Sequence, residues 1–207
     1  MSLPILVIFG DRTANEVFEA ATASDQGSFA SIEKLYFEPT KFLQKDFPRL
    51  TALATQIFYH AAIANERIKQ QVVSHCDACG WIPRSIIHPS AIISPSARIA
   101  PGTFIAPLAV VSSNAVLDQH VMVHIHASIG HDSHISEFSA VLPGARICGN
   151  VKIGKRSLIG SNAFVAAGIT IGDDCQVDAL TYVLKSLPSN HVFSTRAKSP
   201  VLRVDCR

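Results

Sequence analysis

The chain has 207 residues, 48% of them hydrophobic and 16% charged, with a formal net charge of +2. That length buries a substantial core in one large domain or two small ones, and a near-neutral charge gives no sign of nucleic acid or an anionic membrane as partner. The five cysteines (Cys76, Cys79, Cys148, Cys175, Cys206) are odd in number and irregularly spaced, which argues against a disulfide framework and for a reducing, cytoplasmic setting.

In chain order, Leu3 to Gly10 is a short apolar run closed by glycine, the pattern of a buried parallel strand. It lacks a basic leader and is too short for a signal peptide or a membrane span, so no membrane insertion is expected. Ala14 to Ala23 carries helix formers, Ile32 to Phe37 and Ala54 to Ile63 supply two further strands, and Asn65 to Val73 reads as a basic helix. This alternation predicts a small α/β domain of Rossmann-like βαβ kind over residues 1–84. Cys76 and Cys79 have the spacing of half a zinc knuckle or of a redox pair. No second pair follows, and a helix end accounts for them too.

From Ile87 the period changes to six. Steps of six run from Ile87 through Ile129, Ile135 and Ile147 to Val183, and all seventeen positions are Ile, Val or Leu. Four residues after each sits a mostly small side chain, such as Ala91, Thr103, Ala127, Ser133 or Ser157, with Val121, Val151 and Ile169 as larger exceptions. Inward aliphatic and small residues repeating every six fit a prism with one short strand per face, the aliphatics set at its corners. Eighteen residues make one coil, and successive coils stack at about 4.8 Å. An amphipathic helix needs a period of 3.6 and is excluded. Residues 85–187 are therefore predicted as a parallel β-helix, with residues 188–207 as a tail covering its open end.

Three segments resemble a known family. The link Gly80-Trp-Ile-Pro-Arg-Ser-Ile-Ile-His-Pro-Ser-Ala91, the stretch Ile129-Gly-His-Asp-Ser-His-Ile135 and the following Val141 to Gly154 are similar to bacterial sugar O- and N-acetyltransferases of the NeuD/PglD type, within the hexapeptide-repeat acyltransferases. The resemblance spans nearly the whole chain. It implies a left-handed β-helix, against the usual crossover hand, and an N-terminal domain that binds a nucleotide sugar. It further implies homotrimers with active sites between subunits, and acetyl-CoA as co-substrate without a metal.

His131 lies two residues past an inward aliphatic, on a flat face and directed outward. An imidazole there can take a proton from an amine or hydroxyl as it attacks a thioester. Asp132 can hold the ring's other nitrogen. The resemblance assigns these roles, His131 as general base and Asp132 as its partner. One coil of eighteen residues on from His131 is Gly149, whose N–H can reach a developing oxyanion. The relatives use a glycine there for the acetyl carbonyl. A glycine needed only by the loop Cys148-Gly149-Asn150 is the plainer explanation. Asn114, Asp132 and Asn150 are also eighteen apart and form a polar ladder. The relatives' backbone contacts to acetyl-CoA fall on Ser161 and Ala179, one coil apart and on another face from His131. Arg196 and Lys198 can meet CoA phosphates or simply be solvated.

The chain departs from the family at three places. The first βα turn reads Gly10-Asp11-Arg12-Thr13-Ala14-Asn15, with one glycine and an acidic residue where the relatives carry a glycine-rich phosphate loop; Gly10 and Arg12 are the candidate substrate-binding residues. Ala140 replaces a CoA-contacting histidine, and His124 replaces an asparagine. Three other readings stay open at this level. His120, His124, His126, His131 and His134 invite a carbonic-anhydrase-like zinc site, with His126 and His131 at the required spacing. An acyl carrier protein could donate to a UDP-amino sugar. The altered first loop could mark a non-catalytic scaffold.

Overall fold

The computed structural model describes residues 3–10, 13–25, 27–38, 46–53, 56–195 and 200–202. The chain divides into two compact units, Met1–Pro89 and Ser90–Arg207, each taken by itself below.

The first unit is a four-stranded parallel sheet of order β2-β1-β3-β4, with β1 at Ile5–Gly10, β2 at Ser31–Leu35, β3 at Ile57–Ala62 and β4 at Ile82–Pro83. β1 is buried along its whole length, which is why its sequence is continuously apolar rather than alternating. Helix α1 (Thr13–Ser24) buries Ala14, Val17, Ala20 and Ala21, one face at helical spacing. A short helix α2 (Phe47–Leu53) and the strand β4 have no counterpart in the sequence reading. Helix α3 (Glu66–Ala78) runs five residues past the predicted end at Val73. Asn65 starts it, its side-chain oxygen accepting the N–H groups of Arg67 and Ile68. Cys79 is its C-cap, and Cys76 and Cys79 are both free, so the pair marks a helix end. Tyr59 on β3 donates to the Asp77 carboxylate at 2.6 Å and ties this helix to the sheet.

The second unit is a parallel β-helix. Two-residue strands stack in three sheets, each strand pairing with the one eighteen residues on: Ser128–Ile129 with Arg146–Ile147, His134–Ile135 with Lys152–Ile153, Ala140–Val141 with Leu158–Ile159. The fourteen repeat aliphatics from Ile105 to Val183 are all buried, each contributing about 1.5–3 kcal/mol. Ile87, Ile93 and Ile99, in the opening turns, are only partly covered.

One feature of the predicted prism is reversed. The aliphatics sit in the strands, and the turns fall two and three residues later, at positions such as His131 and Asp132. His131 is thus at a corner and not on a flat face. The chain turns because every sixth residue from Gly102 to Leu180, fourteen in all, has positive φ. Asn, Asp and Gly hold eight of those fourteen places, as the left-handed region demands.

The inward small residues are polar where the next coil needs a partner. Ser139 Oγ donates to the Gly154 carbonyl (2.7 Å) and accepts the Ser157 N–H (3.0 Å). Ser157 repeats the pair with Gly172 and Cys175, so these buried hydroxyls are fully used. Beyond the last coil, His191–Phe193 adds in parallel to Gln176–Val177, and Val201–Leu202 pairs antiparallel on the outside.

Candidate active site

The corner between the sheets of Ser128–Ile129 and His134–Ile135 carries the His–Asp pair. His131 Nδ1 lies 2.8 Å from Asp132 Oδ2, and both side chains are about half exposed. Asp132 Oδ1 accepts from Asn114 Nδ2 at 3.1 Å, one coil earlier. Hydrogen bonds from His131 first, and then Asn114, hold the Asp132 carboxyl below the usual carboxylate range. With Nδ1–H donated to Asp132, the neutral imidazole keeps its lone pair on Nε2, as a base requires. Asp132 is itself a left-handed corner residue (φ 57°), a conformation its short side chain tolerates.

His131 and Gly149 are together as the coil arithmetic predicts, and the contact has a steric meaning the sequence did not carry. A β-carbon on Gly149 would stand 2.5 Å from His131 Nε2 and 2.6 Å from Cε1, so the ring lies flat on this glycine. No backbone hydrogen bond among the described residues uses the Gly149 N–H. The same holds for the equivalent N–H of Ser161 and Ala179, and the sequence signals it: Pro95, Pro101, Pro107 and Pro143 occupy this position in other repeats, where no N–H is needed. Ser161 and Ala179 are stacked, with the Leu180 N–H on the Ser161 carbonyl at 2.9 Å. Their corner follows Leu158–Ile159 and is a different one from that of His131.

Gly130 was not anticipated. A β-carbon there would strike the Cys148–Gly149 peptide (2.6 Å to both the Cys148 oxygen and the Gly149 nitrogen), so the peptide that presents the Gly149 N–H lies against Gly130. Only the coil arithmetic applied one residue earlier could have found it.

The remaining histidines are dispersed. His120 is buried and stacked on Phe138 (5.1 Å between centroids), over Gly102. His124 meets Phe104 edge-on at 6.2 Å, His126 is exposed, and His134 Nε2 pairs with Asp118 at 2.8 Å. Among the described residues no three His, Cys, Asp or Glu side chains converge as a metal site, and no helix is long and apolar enough to cross a membrane.

In the first unit, the carboxyl ends of β1 and β3 open into a cavity of about 280 Å³ lined by Gly10, Tyr36, Phe37, Asn65 and Ile68 among others. This is where open parallel sheets bind ligands. Gly10 has a packing reason as well, since a β-carbon on it would collide with the Ala62 carbonyl. At the start of α3 the Asn65 side chain already accepts the N–H groups of Arg67 and Ile68, which leaves fewer donors there for a phosphate. Arg12, Arg196 and Lys198 lie outside the described residues.

The comparisons agree with this architecture. The family described as hexapeptide repeat of succinyl-transferase matches residues 150–185. The acetyltransferase domain of PglB from Neisseria gonorrhoeae FA1090 is 26% identical with a TM-score of 0.83, over 95% of this chain and 99% of that one; it has also been solved in complex with acetyl coenzyme A. Perosamine N-acetyltransferase from Caulobacter crescentus, in complex with CoA and GDP-perosamine, superposes with a TM-score of 0.83 at 21% identity, covering 98% of this chain and 97% of the other. WeeI from Acinetobacter baumannii AYE shares the fold at 19% identity and a TM-score of 0.78, covering 96% of this chain and 100% of its own. A coil of hexapeptide repeats, with a His–Asp corner on it, is the fold this chain shares with these acetyltransferase structures. The order of an α/β unit followed by the coil is similar along nearly the full length to the acetyltransferase domain of PglB.

Proposed function

We propose that the protein transfers an acetyl group from acetyl-CoA to an amino or hydroxyl group of a nucleotide-linked sugar in the cytoplasm, with His131 as general base. The observation that carries this is the His131 corner itself: Nδ1 held by Asp132, Nε2 left free, and the ring resting on Gly149 with an outward N–H beside it. His131 Nε2 takes the proton from the acceptor as the amine or hydroxyl attacks the thioester carbonyl. The Gly149 N–H donates to the oxygen as it becomes an oxyanion. The C–S bond then breaks, and the proton held by His131 accompanies the departing thiol.

The outward N–H groups of Ser161 and Ala179 suit the amide-rich arm of CoA, but they stand at another corner from His131. A site built from both corners needs two subunits, which supports a homotrimer with its active sites between protomers. The cavity beside Gly10 is the place for the nucleotide. Its walls, Tyr36, Phe37 and Ile68, suit a base more than a diphosphate. The test is release of free thiol from acetyl-CoA with a panel of nucleotide-linked amino sugars. Turnover that vanishes in His131→Ala supports the reading, and a panel in which no sugar releases thiol sinks this acceptor class.

A further inference from the structure

The coil repeats one hydrogen bond that has no catalytic meaning in most places. An inward hydroxyl donates to a carbonyl fifteen residues on: Thr103 to Asp118 (3.2 Å), Ser133 to Cys148 (2.9 Å), Ser139 to Gly154 (2.7 Å) and Ser157 to Gly172 (2.8 Å). At Ser133 the accepting carbonyl belongs to the same peptide unit as the Gly149 N–H. No peptide bond described is cis, and in a trans peptide the C=O and N–H point in opposite directions. Ser133 is buried, and its hydroxyl holds the Cys148 oxygen inward, which keeps the Gly149 N–H of the same peptide outward, under His131. Before Ser161 and Ala179 the equivalent places are Ala145 and Ala163, where the coil gives the same direction with no hydroxyl to hold it. Its oxygen also accepts the Val151 N–H at 3.1 Å, so the turn Cys148–Val151 is fastened at both ends by one side chain.

We infer that Ser133 is a positioning residue that holds the Gly149 N–H on the reacting carbonyl, acting from inside the coil without touching substrate. The inference rests on the acyl-transfer reading above. Gly130 lies against the same peptide, a contact the coil repeats where Gly160 lies against the Asp178–Ala179 peptide. The chemistry at stake is geometric: an oxyanion donor is effective only when already pointed at the place where charge develops.

The coil supplies its own controls. Thr103 fits an equivalent position, its hydroxyl reaching the Ala100 carbonyl at 2.8 Å and the Asp118 carbonyl at 3.2 Å, and Val121 and Val151 fill equivalent positions fully buried, so both residue types fit. Ser133→Thr and Ser133→Val therefore differ by little more than the hydroxyl, and Ser157→Val removes the same bond far from the site. The expected result, in thiol-release kinetics on the full chain, is a kcat within about twofold of wild type for Ser133→Thr and about tenfold lower for Ser133→Val, at unchanged KM for acetyl-CoA. Ser157→Val should lower the melting temperature as much as Ser133→Val does and leave kcat in place. If Ser133→Val proves insoluble, the smaller Ser133→Ala takes its place against the same controls. A Ser133→Val or Ser133→Ala enzyme that keeps the kcat of Ser133→Thr overturns the inference while leaving the acyl-transfer reading standing. Failure of that reading shows separately, as a wild type without transfer or a His131→Ala variant that retains it.

Discussion

The two units of this chain bury their apolar residues under different kinds of rule. In the coil, each inward aliphatic meets the same environment as its neighbours one coil away, so a single local requirement is repeated and the core is a column. In the α/β unit every buried residue has its own surroundings: Phe9 stacks on Trp81 (6.2 Å) and meets Phe37 edge-on (5.9 Å), and Tyr59 reaches Asp77 across the fold. A periodic core makes a rigid ruler on which side chains eighteen residues apart are placed side by side. A unique core makes a pocket. The proposed division of labour follows, with chemistry on the ruler and recognition of the acceptor in the pocket.

The largest effect expected is on the ruler's own stability. Ile135→Ala removes a side chain that is completely buried between coils and should cost about 2–5 kcal/mol, read by denaturant unfolding. An equally large loss from exposed Ile92→Ala would contradict the columnar core. Next is Gly149→Ala, whose β-carbon must push the His131 ring aside. Transfer should fall about a hundredfold with little change in melting temperature. A smaller response belongs to the α/β unit. Lys69 is buried on the sheet-facing side of α3, and burial lowers its pKa from 10.5 to about 7. The folded state then binds this proton less readily than the unfolded chain. The group's contribution to stability is full above pH 10.5 and is lost as pH falls toward 7. Lys69→Met should flatten that slope in hydrogen exchange of β1 and β3 in the full chain, leaving the coil unchanged. The smallest effect expected is that of Asn114→Gly, which keeps the left-handed corner but removes the amide on Asp132; kcat should drop about threefold. If Asp132→Asn is made first, the same change should cost nothing more.

How much of this was legible followed the same divide. All seventeen repeat positions could be read from residue types alone, because Ile, Val and Leu recur without a gap and the structure buries them from Ile105 onward. The same periodicity alone brings His131 to Gly149 and Asn114 to Asp132. Periodicity alone does not say where the chain turns, which is why it sets His131 on a face and not at its corner. The missing signal was present in Asn114, Asp132, Gly144, Asn150 and Asn162, residues that tolerate positive φ, three places after each aliphatic. Ser133 and Gly130 were illegible for another reason: a hydroxyl that holds a peptide has the same sequence signature as one that merely fills a core. In the α/β unit, β4 is two residues long and α2 seven, too short to carry a period, and both depend on contacts that no local pattern encodes.

The central claim is that the His131 corner performs acetyl transfer. It is tested most directly by single-turnover transfer of labelled acetyl from acetyl-CoA to nucleotide-linked amino sugars, by wild type and by folded His131→Ala. The account predicts stoichiometric acetylated sugar with wild type and a rate at least about a thousandfold lower in the variant. Equal rates in the two proteins would contradict it.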